Sequence, residues 1–380
     1  MADKGGLEGI VAAKSGLAYI DGQKGYLCYR GIDIFELAKR STFEETGYLL
    51  TFGELPTREQ LDQYSEDIKV NRDLPGVTTD VLKMIAERST PMEALRTAVS
   101  TLSVDDSEKD DNSREANLRK ANRLTARVAT IIGQYAAHRA GRDPVQSDAS
   151  LGHAANLLWM ITAKRPSELE ANVFDQALIL HADHELPAST FAARVTAATL
   201  SDMYSAATSA IGALKGPLHG GANQKVMETL ESINSDDPDT IRQWVRDALG
   251  RKERIMGFGH RVYKTYDPRA KILKELAAEL AEQHPDQAKW FEMSKLVEEV
   301  VLEEKSLYPN VDFYAASVYR MLGIPTELFT QVFAASRIVG WTAHVVEQHG
   351  DNRLIRPTTE YTGEIERDYV ALEDRVPASV

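Results

Sequence analysis

Cysteine is all but missing from this chain: Cys28 is the single one in 380 residues. An intramolecular disulfide and a cysteine-ligated metal cluster are thereby excluded, and a reducing compartment fits. Cys28 itself reads as a packed, inert thiol rather than a nucleophile. Long apolar runs are missing too. Nothing approaches the roughly 18 consecutive apolar residues of a membrane span. The first residues, MADKGGLEG, hold no apolar core of signal-peptide length, so a cytoplasmic location is expected. Basic stripes are also lacking, and the net charge is −13. Nucleic acid and anionic membrane are therefore poor partners, and an anionic ligand would need basic residues gathered locally. Repeats and low-complexity tracts do not occur.

Hydrophobic residues at 43% and charged residues at 27% are ordinary for a globular protein, and the length suits two or three domains. Strand signals are confined to residues 17–30. There Tyr19, Ile20, Tyr26 and Tyr29 flank the turn Asp21-Gly22-Gln23-Lys24-Gly25, which predicts one small hairpin. The rest reads as helix, and the fold class is all-α. Thr57-Arg58-Glu59-Gln60 is a capping box. Thr90-Pro91-Met92-Glu93, Asp237-Pro238 and Asp267-Pro268 mark further helix starts. The alanine-rich stretches 118–140 and 188–214 each predict a long, closely packed helix. Residues 104–116 hold Asp105, Asp106, Glu108, Asp110, Asp111 and Glu115 and predict a solvated linker rather than a cation site.

Chemistry concentrates at the pauses between helices, where a rigid scaffold holds loops. GPLHGGAN, residues 216–223, places His219 before two glycines at the start of a helix. A helix N-terminus disfavours imidazolium, so a neutral His219 can donate to a developing oxyanion. MGFGHRVYKTYDPR, residues 256–269, packs His260, Arg261, Lys264 and Arg269 close together, a cradle for carboxylate or phosphate. Its Gly257-Phe258-Gly259 follows no strand, so a dinucleotide fingerprint is not supported. YPNVDFYAA, residues 308–316, sets Asp312 among apolar neighbours, where a carboxylate becomes a better base near neutral pH. A helix N-cap role for Asp312 is the structural alternative.

HADHELPASTF, residues 181–191, spaces His181 and His184 to share a helix face. With no third ligand at familiar spacing, ligand binding or a core hydrogen bond is favoured over zinc. Arg337 lies in an otherwise apolar helix and needs an anionic partner. Arg356 follows the last long helix. Together these residues suit proton abstraction beside a carbonyl, with a polyanionic second substrate.

GPLHGGAN, GFGHRVYKTYDPR, PNVDFY, RPTTEYTG and the earlier YRGIDIFELA occur in the order found in the citrate synthase family, which this chain resembles from residue 7 to 363. Length and N-terminus are similar to the compact members without an added N-terminal domain. The resemblance implies a large helical domain, residues 1–220 and 324–380, and a small one, 221–323, that closes over the site. It implies a homodimer. The implied reaction condenses acetyl-CoA with oxaloacetate and hydrolyses the citryl thioester, with no metal or redox cofactor. By motif, Asp312 is the base, His219 faces the thioester oxygen and His260 polarises the oxaloacetate carbonyl. His184, Arg269 and Arg337 hold oxaloacetate, and Arg356 reaches in from the second subunit. Lys264, Met256, Gly257, Phe258 and Gly259 meet coenzyme A.

Two positions depart from the family pattern: Pro187 where asparagine is frequent, and Ala315-Ala316 where many relatives have serine followed by a small residue. The alternative activity is 2-methylcitrate synthesis from propionyl-CoA; Arg261 after His260 leans towards citrate. A citryl-CoA lyase and a helical binding protein without chemistry are the more distant alternatives.

Overall fold

A computed structural model describes residues 6, 7 and 9–375. The hairpin forms where the tyrosines and the glycine turn predict it, between β1 (Ala18–Asp21) and β2 (Tyr26–Tyr29). A two-residue strand, β3 (Ile32–Asp33), extends it to an antiparallel sheet of order β1-β2-β3. Gly22 is required at the turn: a Cβ there would sit 2.2 Å from the carbonyl oxygen of Val262. The hairpin is thus pressed against the His260 segment. Cys28, on β2, is buried.

All else that is regular is helical. The first helices are α1 (Ile34–Arg40), α2 (Phe43–Phe52), α3 (Arg58–Val70), α4 (Gly76–Ile85), α5 (Pro91–Thr101), α6 (Arg114–Arg139), α7 (His153–Thr162) and α8 (Glu168–His181). Then come α9 (Ala188–Ala197), α10 (Met203–Leu214), α11 (Ala222–Ile233), α12 (Pro238–Gly250), α13 (Pro268–Gln283), α14 (Lys289–Lys305), α15 (Val311–Met321) and α16 (Phe329–Gly350). Thr57 and Gln60 make the reciprocal capping box of α3. Asp237 and Asp267 cap α12 and α13 ahead of their prolines.

Burial along α16 is unbroken from Phe329 to Val345, so this helix is the axis of the core, packed by α2, α6, α9 and α10. The helices α11 to α15 pack chiefly on one another, α13 and α11 on α15 and α12 on α14, while α13 also touches α1 and α8. None of the described helices is long and apolar enough to cross a membrane.

Three local expectations are corrected. Residues 188–214 are not one helix but α9 and α10. Leu200 turns into the left-handed region with φ 65°, and Asp202 recaps the chain by accepting from the Ser205 N–H at 2.9 Å. Alanine content favours helix throughout, yet a side-chain cap offers the backbone a better local partner. His181 and His184 do not share a helix face. Helix α8 ends at His181, whose carbonyl accepts from Arg337 Nε at 2.6 Å, and His184 lies in the turn beyond. The acidic stretch 104–116 is not simply solvated. Asp106 is nearly sealed, accepting from Tyr204 and pairing with Arg123 at 2.8 Å, while Lys120 is buried and donates to the Asp111 carbonyl at 2.6 Å. Opposite charges at the base of α6 draw this loop onto the helix.

Candidate functional site

Two of the three catalytic candidates are joined by main chain. Phe258 and Pro309 form a bridge. Gly259 N–H donates to the Tyr308 carbonyl at 2.9 Å, and Asn310 N–H to the Gly257 carbonyl at 2.8 Å. Asn310 Nδ2 adds a bond to the Gly259 carbonyl, also 2.9 Å. Gly257 has φ 84°, and a Cβ there would meet Phe313 Cβ at 2.9 Å, so only glycine lets the segments close. Asp267 secures the same junction. Its carboxylate accepts from Arg269 Nη2 at 2.8 Å and Nε at 3.0 Å, and from Val311 N–H at 3.2 Å. The starts of α13 and α15 are thereby tied together, and His260 and Asp312 with them.

His260 is half-buried, and its Nδ1 accepts from the N–H groups of Val262 and Tyr263 at 3.0 and 3.1 Å. Burial first and Arg269 second push its pKa down to about 4. The ring is therefore neutral near pH 7, with its proton on Nε2. His184 is buried against it: the ring centroids are 5.3 Å apart, and His184 Nε2 lies 3.2 Å from the Tyr263 hydroxyl. Burial, with Arg269 next, holds His184 well below the usual histidine range.

Asp312 is the second residue of α15, and Asn310 is the cap, accepting from the Asp312 N–H at 3.0 Å. The N-cap alternative for Asp312 thus falls away. Its Oδ1 is sealed and has no hydrogen-bond partner. Burial pushes its pKa up to about 7, with Arg269 and Arg337 pulling the other way. That is the range in which a carboxylate works as a base at neutral pH.

His219 lies in the turn between α10 and α11, its Nε2 2.8 Å from Ser189 Oγ. Burial first and Arg337 second push its pKa down to about 4. The expected neutrality holds, but the start of α11, Ala222, lies three residues on, and burial is the leading cause. Trp341 Nε1 also donates to Ser189 Oγ, at 3.2 Å. Phe333 spans the gap, its ring centroid 6.3 Å from that of His219 and 5.2 Å from that of His181.

The two core arginines differ. Arg269 is buried in a bidentate pair with Asp267. Arg337 is equally buried, yet among the described residues its one hydrogen bond goes to the His181 carbonyl. Its guanidinium also lies over the Phe333 ring at 4.7 Å. Burial pulls its pKa down to about 10, so it keeps its charge at neutral pH.

The remaining candidates lie further out. Lys264 is exposed and donates through Nζ to the Arg261 carbonyl at 3.0 Å, its N–H bonded to the Gly22 carbonyl of the hairpin turn. Phe258 and Gly257 are buried, Met256 and Gly259 partly so. Arg356 is not brought to the cluster: it is exposed and lines a groove with Leu7, Ile10 and Leu354. Pro187 forms the N-cap position of α9, which leaves Ser189 in the first turn facing His219. No group of three or more His, Cys, Asp or Glu suited to a metal ion occurs among the described residues. Sequence reasoning missed Ser189, Tyr263, Asp267 and Phe333. Asp267 had a visible signal, the cap before Pro268; the other three act through contacts between distant elements.

The site can lower the acidity barrier of a carbon acid beside a carbonyl, with a poised base, two neutral imidazole donors and a buried cation for an anionic partner. The family profile "Citrate synthase, C-terminal domain" matches residues 6–358. Citrate synthase of Haloferax volcanii is 51% identical over 376 residues, covering 98% of this chain and 99% of that protein. The solved citrate synthase of Pyrobaculum aerophilum superposes with a TM-score of 0.90 at 40% identity, covering 97% of this chain and 95% of that one. A citrate synthase of Thermoplasma acidophilum, solved as a ternary complex with carboxymethyl coenzyme A and oxaloacetate, gives a TM-score of 0.90 at 35% identity, covering 97% of this chain and 98% of that one. Proteins named 2-methylcitrate synthase also match, at lower identity than the Haloferax protein. With its motifs, helical architecture and full-length matches in agreement, this chain belongs to the citrate synthase family.

Proposed function

We propose that the chain condenses acetyl-CoA with oxaloacetate and water to give citrate and coenzyme A, an acyl transfer in which the acyl group becomes alkyl. The observation that carries the reading is the sealed Asp312 carboxylate, poised at about 7 and bound by main chain to the His260 segment. Asp312 takes a proton from the acetyl methyl. His219 donates to the thioester oxygen as the enolate forms. Trp341 N–H can only donate, so it occupies a lone pair of Ser189 and frees the Ser189 O–H for His219 Nε2. His219 then carries its proton on Nδ1, facing the acyl group. His260 donates from Nε2 to the oxaloacetate carbonyl under attack, its Nδ1 being held by two backbone N–H groups. A positioned acid or base contributes roughly 10² to 10⁴, and an oxyanion donor roughly 10² to 10³.

Oxaloacetate's two carboxylates go to His184, Arg269 and Arg337, and Arg337 is the cation with no carboxylate of its own. Lys264 and the loop 256–259 meet coenzyme A. No metal or redox cofactor takes part in this scheme. Residues 221–323 close over residues 1–220 and 324–380, shielding the enolate from water. Arg356 enters the site of a partner in a cytoplasmic homodimer. Support for the dimer comes from the exposed apolar side chains of the C-terminal stretch, Leu354, Tyr361, Ile365 and Tyr369.

The test is thiol release with oxaloacetate and either acetyl-CoA or propionyl-CoA. A higher kcat/KM for acetyl-CoA is expected. Preference for propionyl-CoA would make the chain a 2-methylcitrate synthase, since one methylene separates the substrates by only about 1–3 kcal/mol. Citryl-CoA cleavage without condensation would point to a lyase, and no turnover of either kind to a binding protein.

A further inference from the structure

Three polar atoms near the base are sealed and lack partners: Asp312 Oδ1, Tyr319 Oη and His181 Nε2. Buried polar groups are nearly always hydrogen-bonded, so three orphans on connected elements call for an explanation. Helix spacing and ring packing draw them together. Asp312, Ala315 and Tyr319 stand at i, i+3 and i+7 of α15, on one face. Seven residues of helix span about 10.5 Å, and a tyrosine in a helix leans back towards the N-terminus, over the turn holding Ala315 and Ala316. Both alanines are fully buried, and neither has a side chain long enough to reach across the tyrosine. His181 joins from the end of α8, its ring centroid 6.1 Å from that of Tyr319. The charge of Asp312 is felt at Tyr319, whose ionisation it opposes after burial.

Counting donors and acceptors identifies what the three atoms hold. His181 Nδ1 lies 2.7 Å from the Ala177 carbonyl, which can only accept, so the ring proton is on Nδ1 and Nε2 is an acceptor. Asp312 Oδ1 is an acceptor when ionised. Tyr319 supplies one O–H. One donor proton cannot serve two acceptors, but a water supplies two and accepts one. It donates to Asp312 Oδ1 and His181 Nε2 and accepts from the Tyr319 O–H, the roughly three bonds usual for a buried water.

We propose that Tyr319, His181 and Asp312 Oδ1 form a buried site for one water molecule, which fixes the inner oxygen of the base and leaves Oδ2 towards the acyl methyl. Tyr319 and His181 are positioning residues, acting through the water. The proposal deepens the reading of Asp312 as the base and rests on it. The groups acting on that carboxylate are Arg269 and Asp267 from the start of α13 and Arg337 from α16, with Tyr319 on α15 and His181, packed on Tyr319, from α8. Only the last two are uncharged and without a partner on their sealed atoms.

A hydrogen bond to the ionised form favours it, so losing the water's anchor raises the Asp312 pKa, by about one unit. The test is Tyr319→Phe, which keeps ring and packing. Carbon-detected NMR follows the Asp312 carboxyl in the unliganded protein, with thermal unfolding as a check on the fold. We expect the titration to move up by about one unit, and the acidic limb of kcat/KM for the acyl-CoA to move with it. Activity then falls about five-fold near pH 7 and recovers by pH 9. An unmoved Asp312 titration in a folded Tyr319→Phe protein overturns the proposal, as does a rate loss equal at every pH. Because the NMR readout needs no turnover, it is separable from the assignment of the base. That assignment fails if Asp312→Asn keeps its activity.

Discussion

The site has two halves built by different means. On one side, residues 256–269 and 308–312 are held to each other by main-chain hydrogen bonds and by the Asp267 carboxylate. On the other, the turn after α8, the start of α9 and α16 present His184, Ser189 and Arg337 by burial and side-chain contact. The buried arginine of each half shows what this means. Arg269 is already paired with Asp267, so it is part of the frame. Among the described residues Arg337 makes no ion pair, although the Asp183 carboxylate acts on it from further off; burying such a cation costs free energy that a bound anion would offset. The first half is internally paired, and the second holds a buried cation that the proposed substrate would pair.

The comparison can be broken in several ways. The largest effect is expected from Asp312→Asn. It should lower kcat by about 10² to 10⁴ while leaving oxaloacetate affinity unchanged by calorimetry, because the proposed base makes no contact in the oxaloacetate scheme. Turnover near the wild-type rate would remove Asp312 from its role.

Next comes Arg269→Met. It strands a buried Asp267 and should cost about 3–5 kcal/mol in denaturant unfolding. A small loss would mean that main chain alone holds the junction. Arg337→Met should do the opposite. Stability should be unchanged or raised, while oxaloacetate binding weakens roughly 10- to 150-fold by calorimetry. A marked loss of stability would show that Arg337 is part of the frame after all.

The gentlest test is pH. The base acts when ionised, and burial raises the Asp312 pKa to about 7. The sign follows: kcat/KM for the acyl-CoA should be level above about pH 7 and fall towards tenfold per unit below it. A level profile down to pH 5 would place the base elsewhere or its carboxyl in a more polar setting.

Local signals in the chain were informative where one residue and its close neighbours decide the outcome. The tyrosine-flanked turn made the hairpin, Thr57 and Gln60 made their box, and Asp237 and Asp267 opened helices before proline. They misled where a competing local partner intervened. Asp202 divided the alanine-rich stretch, although a capping aspartate was there to be read. They also misled where a distant group intervened, as Arg337 does at the His181 carbonyl and Arg123 at Asp106.

By itself, then, the sequence determined that the chain is helical, carries its titratable groups at helix boundaries and shares the ordered motifs of one family. Those properties depend on residues a few positions apart, where spacing and side-chain chemistry act directly. Only the tertiary structure decided the state of each group. Asp312 is raised by burial, His219 and His260 are neutral because they are buried beside arginines, and Arg337 is charged without an ion pair among the described residues. Desolvation and long-range charge depend on what is packed around an atom, and residues 181, 189, 312, 319 and 337 meet only once the helices have closed on one another.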